Sequence, residues 1–257
     1  MNKEESVLVT NIQHFCLDDG PGIRTTVFFK GCSVCCPWCA NPENIAENPE
    51  VYYENGIKKK FGQYMTLQEI EEEILKDIFY YDKNGGVTWS GGEPLLQIKK
   101  METLLKKIKD YNVHQVMETS LFASSESLDI AMKYIDLFIV DIKILDGVEC
   151  NNVIGGNIVI FLKNVKKLFD KKSQIIFRIP LIDSYTTNED NCIAILNFLN
   201  EYKPNKVELL VGHNYAERKY YLLGKKMLLL PEIRDSLVDK YKKKIESLGI
   251  ETTICKM

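Results

Sequence analysis

Residues 24–43 read Arg-Thr-Thr-Val-Phe-Phe-Lys-Gly-Cys-Ser-Val-Cys-Cys-Pro-Trp-Cys-Ala-Asn-Pro-Glu. Thr25 to Phe29 is a short β-branched and aromatic run, the composition of a buried strand. From Gly31 onward the stretch is studded with turn formers, so Cys32, Cys35, Cys36 and Cys39 occupy a loop at a strand end. Further along, Gly86 to Ser90, Val113 to Glu118, Leu137 to Asp141, Ile175 to Pro180, Val207 to Val211 and Ile250 to Ile254 repeat the strand signature. Apolar residues at helical spacing fill Leu67 to Tyr81, Met101 to Tyr111, Ile158 to Phe169, Asn191 to Tyr202 and Ile233 to Leu248. Such alternation predicts an α/β fold with a parallel sheet and crossover helices. A closed or partial barrel is preferred over an open doubly wound sheet, because the distinctive residues fall at strand C-terminal ends. Asn41 to Gln63 is expected to be the longest irregular connection, and with no Pro/Gly/Ser linker residues 1–257 are expected to form one domain.

The composition is that of an ordinary globular chain. Its 257 residues carry 33 Lys plus Arg against 36 Asp plus Glu, a net charge of −3, and 45% are hydrophobic. Disorder, collagen and coiled coil are excluded. Near-balanced charge argues against a non-specific nucleic-acid binder, and Lys58-Lys59-Lys60 and Lys242-Lys243-Lys244 read as solvated faces. The first residues lack the apolar core of a signal peptide, and the most apolar stretch, Ile135 to Leu145, is broken by Asp136, Asp141 and Lys143. A cytoplasmic protein with neither membrane nor nucleic-acid partner is expected.

Eight cysteines are unevenly placed: four lie within eight residues, whereas Cys16, Cys150, Cys192 and Cys255 stand alone and read as buried small hydrophobes. A tight group in a chain without export signals reads as metal-binding or catalytic. Structural zinc favours two separated C-x-x-C knuckles or a histidine to complete four ligands, and the loop offers neither. Three thiolates could instead grip three irons of a [4Fe–4S] cube and leave the fourth open. Spacing alone allows Cys32, Cys36 and Cys39 or Cys32, Cys35 and Cys39.

Ser90-Gly91-Gly92-Glu93-Pro94 ends one strand and opens a helix, with Pro94 suited to a first helical position. The two glycines are expected to let a ligand touch backbone, and Glu93 to offer a carboxylate to an ammonium group.

Cys32-x3-Cys36-x-Trp38-Cys39 resembles the C-x3-C-x-aromatic-C motif of the radical S-adenosylmethionine superfamily, and that pattern selects Cys32, Cys36 and Cys39 as catalytic cluster ligands. In that superfamily a motif like Gly91-Gly92-Glu93 binds the methionine amino group. Asp19-Gly20-Pro21-Gly22-Ile23-Arg24, the strand into Gly31-Cys32, and Cys39-Ala40-Asn41-Pro42-Glu43 resemble one branch, the glycyl-radical-enzyme activating enzymes. The likeness continues through Glu118-Thr119, Asp141-Ile142-Lys143, Arg178 to Ile182, His213 and Lys219-Tyr220, spanning about residues 12 to 224. It implies a partial (β/α)6 TIM-like barrel of the radical S-adenosylmethionine type. It further implies that Trp38, Gly91, Gly92, Glu93, Thr119, Asp141, Lys143, Arg178 and His213 surround the cofactor. Glu118, Thr119 and Asp141 resemble positions that bind a monovalent cation, and Asp19 to Arg24 a segment that touches the partner peptide.

The implied activity is reductive cleavage of S-adenosylmethionine at one [4Fe–4S] cluster, with the 5′-deoxyadenosyl radical abstracting hydrogen from a glycine of a partner glycyl radical enzyme. A low-potential donor such as flavodoxin or ferredoxin is expected, and a monomer. Three departures stand out: Leu121 where relatives have glycine, Asp183-Ser184 for Pro-Gly, and Val211-Gly212 for Pro-Tyr. Asn44 to Gly62 holds no cysteine, so the ferredoxin-like insert of many relatives is absent. The rival readings are radical chemistry on a small molecule or another peptide, motivated by those departures, and a non-catalytic zinc-binding interaction module.

Overall fold

The computed structural model describes residues 6–255. Its main sheet takes β1 (Ser6–Cys16), β2 (Arg24–Phe29), β5 (Gln63–Thr66), β6 (Gly86–Gly91), β7 (His114–Thr119), β8 (Leu137–Asp141), β9 (Ile175–Leu181), β10 (Lys206–Val211) and β11 (Glu251–Cys255). Their spatial order is β11-β10-β9-β8-β7-β6-β2-β1-β5. From β2 to β11 every neighbouring pair is parallel, while β1 lies antiparallel to both β2 and β5. The end strands β11 and β5 do not pair with each other, so the sheet is an open barrel, as expected.

Helices fill the crossovers: α1 (Leu67–Lys76), α2 (Ile98–Asp110), α3 (Ser125–Ala131), α4 (Gly147–Ile154), α5 (Ile158–Asp170), α6 (Glu189–Tyr202), α7 (Glu217–Leu222) and α8 (Asp235–Glu246). Thr66 and Glu69 form a reciprocal capping box that starts α1 where its periodicity begins. The helix stops at Lys76, short of the expected Tyr81. There Asp77 turns inward to accept hydrogen bonds from Thr25 Oγ1 at 2.5 Å and His14 Nδ1 at 2.6 Å, and Ile78–Tyr80 forms a separate 3-10 turn.

Two further differences from expectation lie near the cysteines. The stretch from Asn41 to Gln63 is not irregular: it holds a 3-10 turn, Pro42–Asn44, and the hairpin of β3 (Glu50–Glu54) with β4 (Ile57–Phe61). Asn55 and Gly56 both take positive φ, 52° and 75°, the two-residue turn that Asn-Gly favours. β1 lies outside every stretch with a strand signature in the sequence.

Side chains alternate across each strand of the barrel. Val27, Phe29, Val87, Trp89, Phe138, Val140, Phe177 and Ile179 join one buried cluster with helix residues such as Met101, Leu105, Phe161 and Leu168. Each such side chain is worth about 1.5–3 kcal/mol when fully buried. The opposite face carries Thr26, Thr88, Ser90, Glu118, Asp141, Arg178 and Glu208. The helices and apolar face make the scaffold, and the polar inner face makes the site.

A cysteine-lined cavity as the candidate active site

A cavity of about 250 Å³ opens at the C-terminal ends of the parallel strands. Cys32, Cys36 and Cys39 line it together with Trp38, whose ring lies 5.1 Å from that of Tyr185. Cys35 is exposed and does not line it; its backbone N–H donates to Ile154 O at 2.9 Å, turning the thiol outward. Burial pushes the Cys32 and Cys36 thiols up to about 12, and Lys143 pulls Cys36 back by its positive charge. Burial alone would lower Lys143, but Asp141, 2.7 Å from its Nζ, and Cys36 hold it charged. Among the described residues, no three His, Cys, Asp or Glu side chains are grouped so as to hold a single metal ion.

Gly91 and Gly92 line the cavity, yet their lack of side chains has a nearer cause. A Cβ on Gly91, at φ +112°, would fall 2.3 Å from the Phe29 backbone, and one on Gly92 would fall 2.1 Å from Gly31 O. The close approach lets Gly92 N–H donate to Phe29 O and Glu93 N–H to Gly31 O, both at 2.8 Å, tying β6 to the cysteine loop.

Glu93 differs from expectation. Its carboxylate is fully buried, does not line the cavity, and accepts from Thr119 Oγ1 (2.7 Å), Ser120 Oγ (2.7 Å), Ser120 N–H (2.9 Å) and Leu95 N–H (3.2 Å). Burial raises its pKa while the Ser120 and Thr119 donors oppose that rise. With four donors already in place the carboxylate is committed to the protein, and it fixes the turn after β7 rather than facing an ammonium group.

Arg178 lines the cavity and donates to Glu118 Oε1 at 2.6 Å, to Glu208 Oε2 at 3.1 and 3.2 Å, and to Asp18 O at 3.4 Å. Register explains the grouping, since Arg178 sits opposite Asp141 on β8 and Glu208 on β10. Glu118, Thr119 and Asp141 all line the cavity, but their oxygens are directed to Arg178 and Ser90, to Glu93, and to Lys143 respectively. The three therefore do not converge as a cation site. His213 lines the cavity with burial lowering its pKa; its Nδ1 accepts from Tyr215 N–H at 3.2 Å, leaving Nε2 to donate.

The Asp19 to Arg24 segment is used within the protein. Asp19 lines the cavity and accepts from Thr26 Oγ1 at 2.7 Å. Arg24 is fully buried, donating to Thr88 Oγ1 and to the carbonyls of Pro21, Asn84, Val87 and His114. Burial lowers its pKa to about 10. This corrects Arg24 from a partner-contact residue to a brace that folds Gly20 to Ile23 around its own guanidinium.

Two of the three departures have a backbone meaning. Leu121 and Ser184 adopt φ of +57° and +64°, the left-handed conformation that glycine takes readily. At Gly212 a Cβ would lie 2.8 Å from Ile182 Cδ1 and 3.1 Å from Leu230 Cδ1, so Leu230 takes up the space beside it. The sequence reading missed Glu208, although a lone charge inside Val207-Glu208-Leu209 is a signal of an inward-facing polar group.

The model of a family described as a 4Fe-4S single cluster domain matches residues 18–152. The pyruvate formate-lyase 2-activating enzyme of Escherichia coli is 32% identical to the chain, over 98% of it and 94% of the relative. The chain belongs to the glycyl-radical-enzyme activating enzymes. The benzylsuccinate synthase activating enzyme of Thauera aromatica is 31% identical over 85% of the chain and 82% of its own length. A solved domain of a pyruvate-formate lyase-activating enzyme from Bacteroides vulgatus superposes with a TM-score of 0.56 at 24% identity, over 67% of this chain and all but 1% of that one, a likeness of fold. The cofactors of an activating enzyme of this family are a [4Fe–4S] cluster and S-adenosylmethionine. The donor set fits: one buried and two half-buried thiols share one cavity with a cation, Lys143, that offsets thiolate charge. Among the described residues no helix is long and apolar enough to cross a membrane.

Proposed function

We infer that this chain is an activating enzyme that installs a glycyl radical on a partner enzyme. The observation that carries the reading is the convergence of three thiols, two strand-end glycines and the cations Lys143 and Arg178 on one cavity. A cluster held by Cys32, Cys36 and Cys39 supplies, when bound, the electron that splits S-adenosylmethionine into methionine and the 5′-deoxyadenosyl radical that takes hydrogen from the partner's glycine.

The chain's own groups bind and orient. Lys143, held charged by Asp141, balances the thiolates. Gly91 and Gly92 present bare backbone to the cavity, and His213 offers Nε2–H as a donor. Thr119 donates its hydroxyl proton to Glu93 and accepts from Leu121 N–H at 2.9 Å, so it fixes the rim of the site. Trp38 walls one side, with Tyr185 packed against its ring.

The relatives' names, which include pyruvate formate-lyase 2 and benzylsuccinate synthase, support a glycyl radical enzyme as partner. With one thiol triad and no cysteine between Asn44 and Gly62, an external low-potential flavodoxin or ferredoxin is the fitting electron donor. Reduced thiols fit the cytoplasm. One main sheet and one core running from Val7 to Ile250 support a single domain, acting as a monomer.

The test is anaerobic: the reconstituted, reduced protein and S-adenosylmethionine are mixed with a lysate of its own host and examined by electron paramagnetic resonance. A glycyl-type doublet on a large chain that requires the added protein establishes activation. Deoxyadenosine without any doublet overturns the glycine as target.

A further inference from the structure

The loop that carries Cys39 is held from the far end of the chain. Tyr220, on α7 and only 7% exposed, points its hydroxyl at Cys39 O (3.0 Å) and Pro37 O (3.4 Å). Its neighbour Lys219 reaches Asn41 Oδ1 at 2.7 Å, Ala40 O at 3.3 Å and Glu43 Oε1 at 2.7 Å. Glu43 is itself buried, and its second oxygen, Oε2, is buried with no hydrogen-bond partner. Lys219 is thus the cation that compensates a carboxylate lying just beyond the third thiol. Neither residue lines the cavity or contributes a ligand.

We propose that Lys219 and Tyr220 are positioning residues of the iron–sulfur site: α7 fixes the Cys39 loop, and the Lys219–Glu43 pair sets the charge beside it. The inference rests on the activating-enzyme reading and deepens it. Tyr220 supplies a hydroxyl donor to two carbonyls of a loop that has no strand or helix of its own there. The reduced state of an iron–sulfur centre carries one more negative charge than the oxidised state, so a nearby cation favours it and an unpaired carboxylate opposes it. Removing Lys219 takes away the cation and uncovers the carboxylate, and both effects act in the same direction.

Two readouts test this. In the apo protein, amide hydrogen exchange follows the Cys39 N–H, which donates to Cys36 O, and the Asn44 N–H, which donates to Asn41 O. Tyr220→Phe is expected to speed exchange at both by about tenfold, the effect of one lost hydrogen bond. In the reconstituted protein, Lys219→Met is expected to move the cluster midpoint potential to more negative values. Lys219→Arg should keep the parent potential, and the double variant Lys219→Met/Glu43→Gln should return toward it, since both charges are then gone. Arg218→Ala, at an exposed position on the same helix paired with Glu54 rather than Glu43, should leave both readouts at the parent values.

Parent-like exchange in Tyr220→Phe together with a parent-like potential in Lys219→Met would overturn the proposal. A potential that shifts equally in Lys219→Met and Lys219→Arg, with no recovery in the double variant, would overturn its electrostatic half. Failure of the activating-enzyme reading looks different: deoxyadenosine without a glycyl doublet removes the glycine target but leaves both readouts as stated, whereas a parent protein that takes up no cluster under any condition removes the charge-setting role as well.

Discussion

Arg178 Nη1 lies 2.6 Å from Glu118 Oε1 on the inner face of the sheet, and the same guanidinium holds Glu208 on its other side. All three side chains are largely buried, at 12%, 18% and 11% exposure. Glu118 is pushed up by burial and pulled back by Arg178, while Glu208 is shared between Arg178 and Lys206. Arg178→Ala strands Glu118 and leaves Glu208 to Lys206 alone, 2.9 Å from its other oxygen, and breaking a buried pair of this kind typically removes about 3–5 kcal/mol. The urea midpoint of the apo variant is expected to fall accordingly. Glu118→Gln, which keeps a hydrogen-bond acceptor, should lose about 1–2 kcal/mol in the same measurement.

Cysteine replacement separates the two triads that spacing allows. Cys36→Ala removes a thiol from the cavity and should abolish cluster assembly, read as loss of iron and of the broad visible absorption. Cys35→Ala removes an exposed thiol outside the cavity and should load iron to the parent level.

Backbone conformation predicts opposite results at two turns. Ser184 stands at φ +64° in an exposed turn, so Ser184→Gly should stabilise the protein by about 0.5–1 kcal/mol, measured by thermal or urea unfolding. Gly91→Ala would place a methyl group 2.3 Å from the Phe29 backbone and pull β6 away from β2. Its expected outcome is loss of several kcal/mol and of cluster assembly together.

Cluster uptake should depend on pH. Cys32 and Cys36 are raised to about 12, so in the apo protein they keep their protons at neutral pH and must release them on binding iron. Because proton release accompanies binding, the rate and yield of reconstitution should rise between about pH 7 and about pH 9. Lys143 lowers the Cys36 thiol, so Lys143→Gln should slow uptake at any given pH within that range and shift the profile to higher pH.

The parallel strands were legible because each is a short apolar run closed by an atypical residue. Asp141, Lys143 and Arg178 stood out for the same reason, as charges at the ends or centres of such runs. β1 escaped because Asn11, Gln13 and His14 interrupt its second half, where the strand is exposed or half-exposed and gives no continuous apolar signal. The hairpin of β3 and β4 was overlooked despite Asn55-Gly56, since Lys58-Lys59-Lys60 looks like a solvated run rather than a strand. Glu93 shows a different limit. A motif tells which carboxylate is near the cofactor, but only packing tells which way it points. Lys219 and Tyr220 stand out in the sequence only through the family likeness, and nothing local shows what they hold, because those groups are 176 or more positions earlier, Glu43 being the nearest in sequence.

That separation bears on biosynthesis. Tyr220 meets the carbonyl of Cys39 across 181 positions, so a ribosome adding about 5–20 residues per second exposes the three thiols many seconds before the helix that secures their loop is made. During that interval the nascent segment is an open, oxidisable trithiol. A truncated product ending before α7 would leave the ribosome with its cysteines in place but without the Tyr220 and Lys219 contacts to the end of their loop.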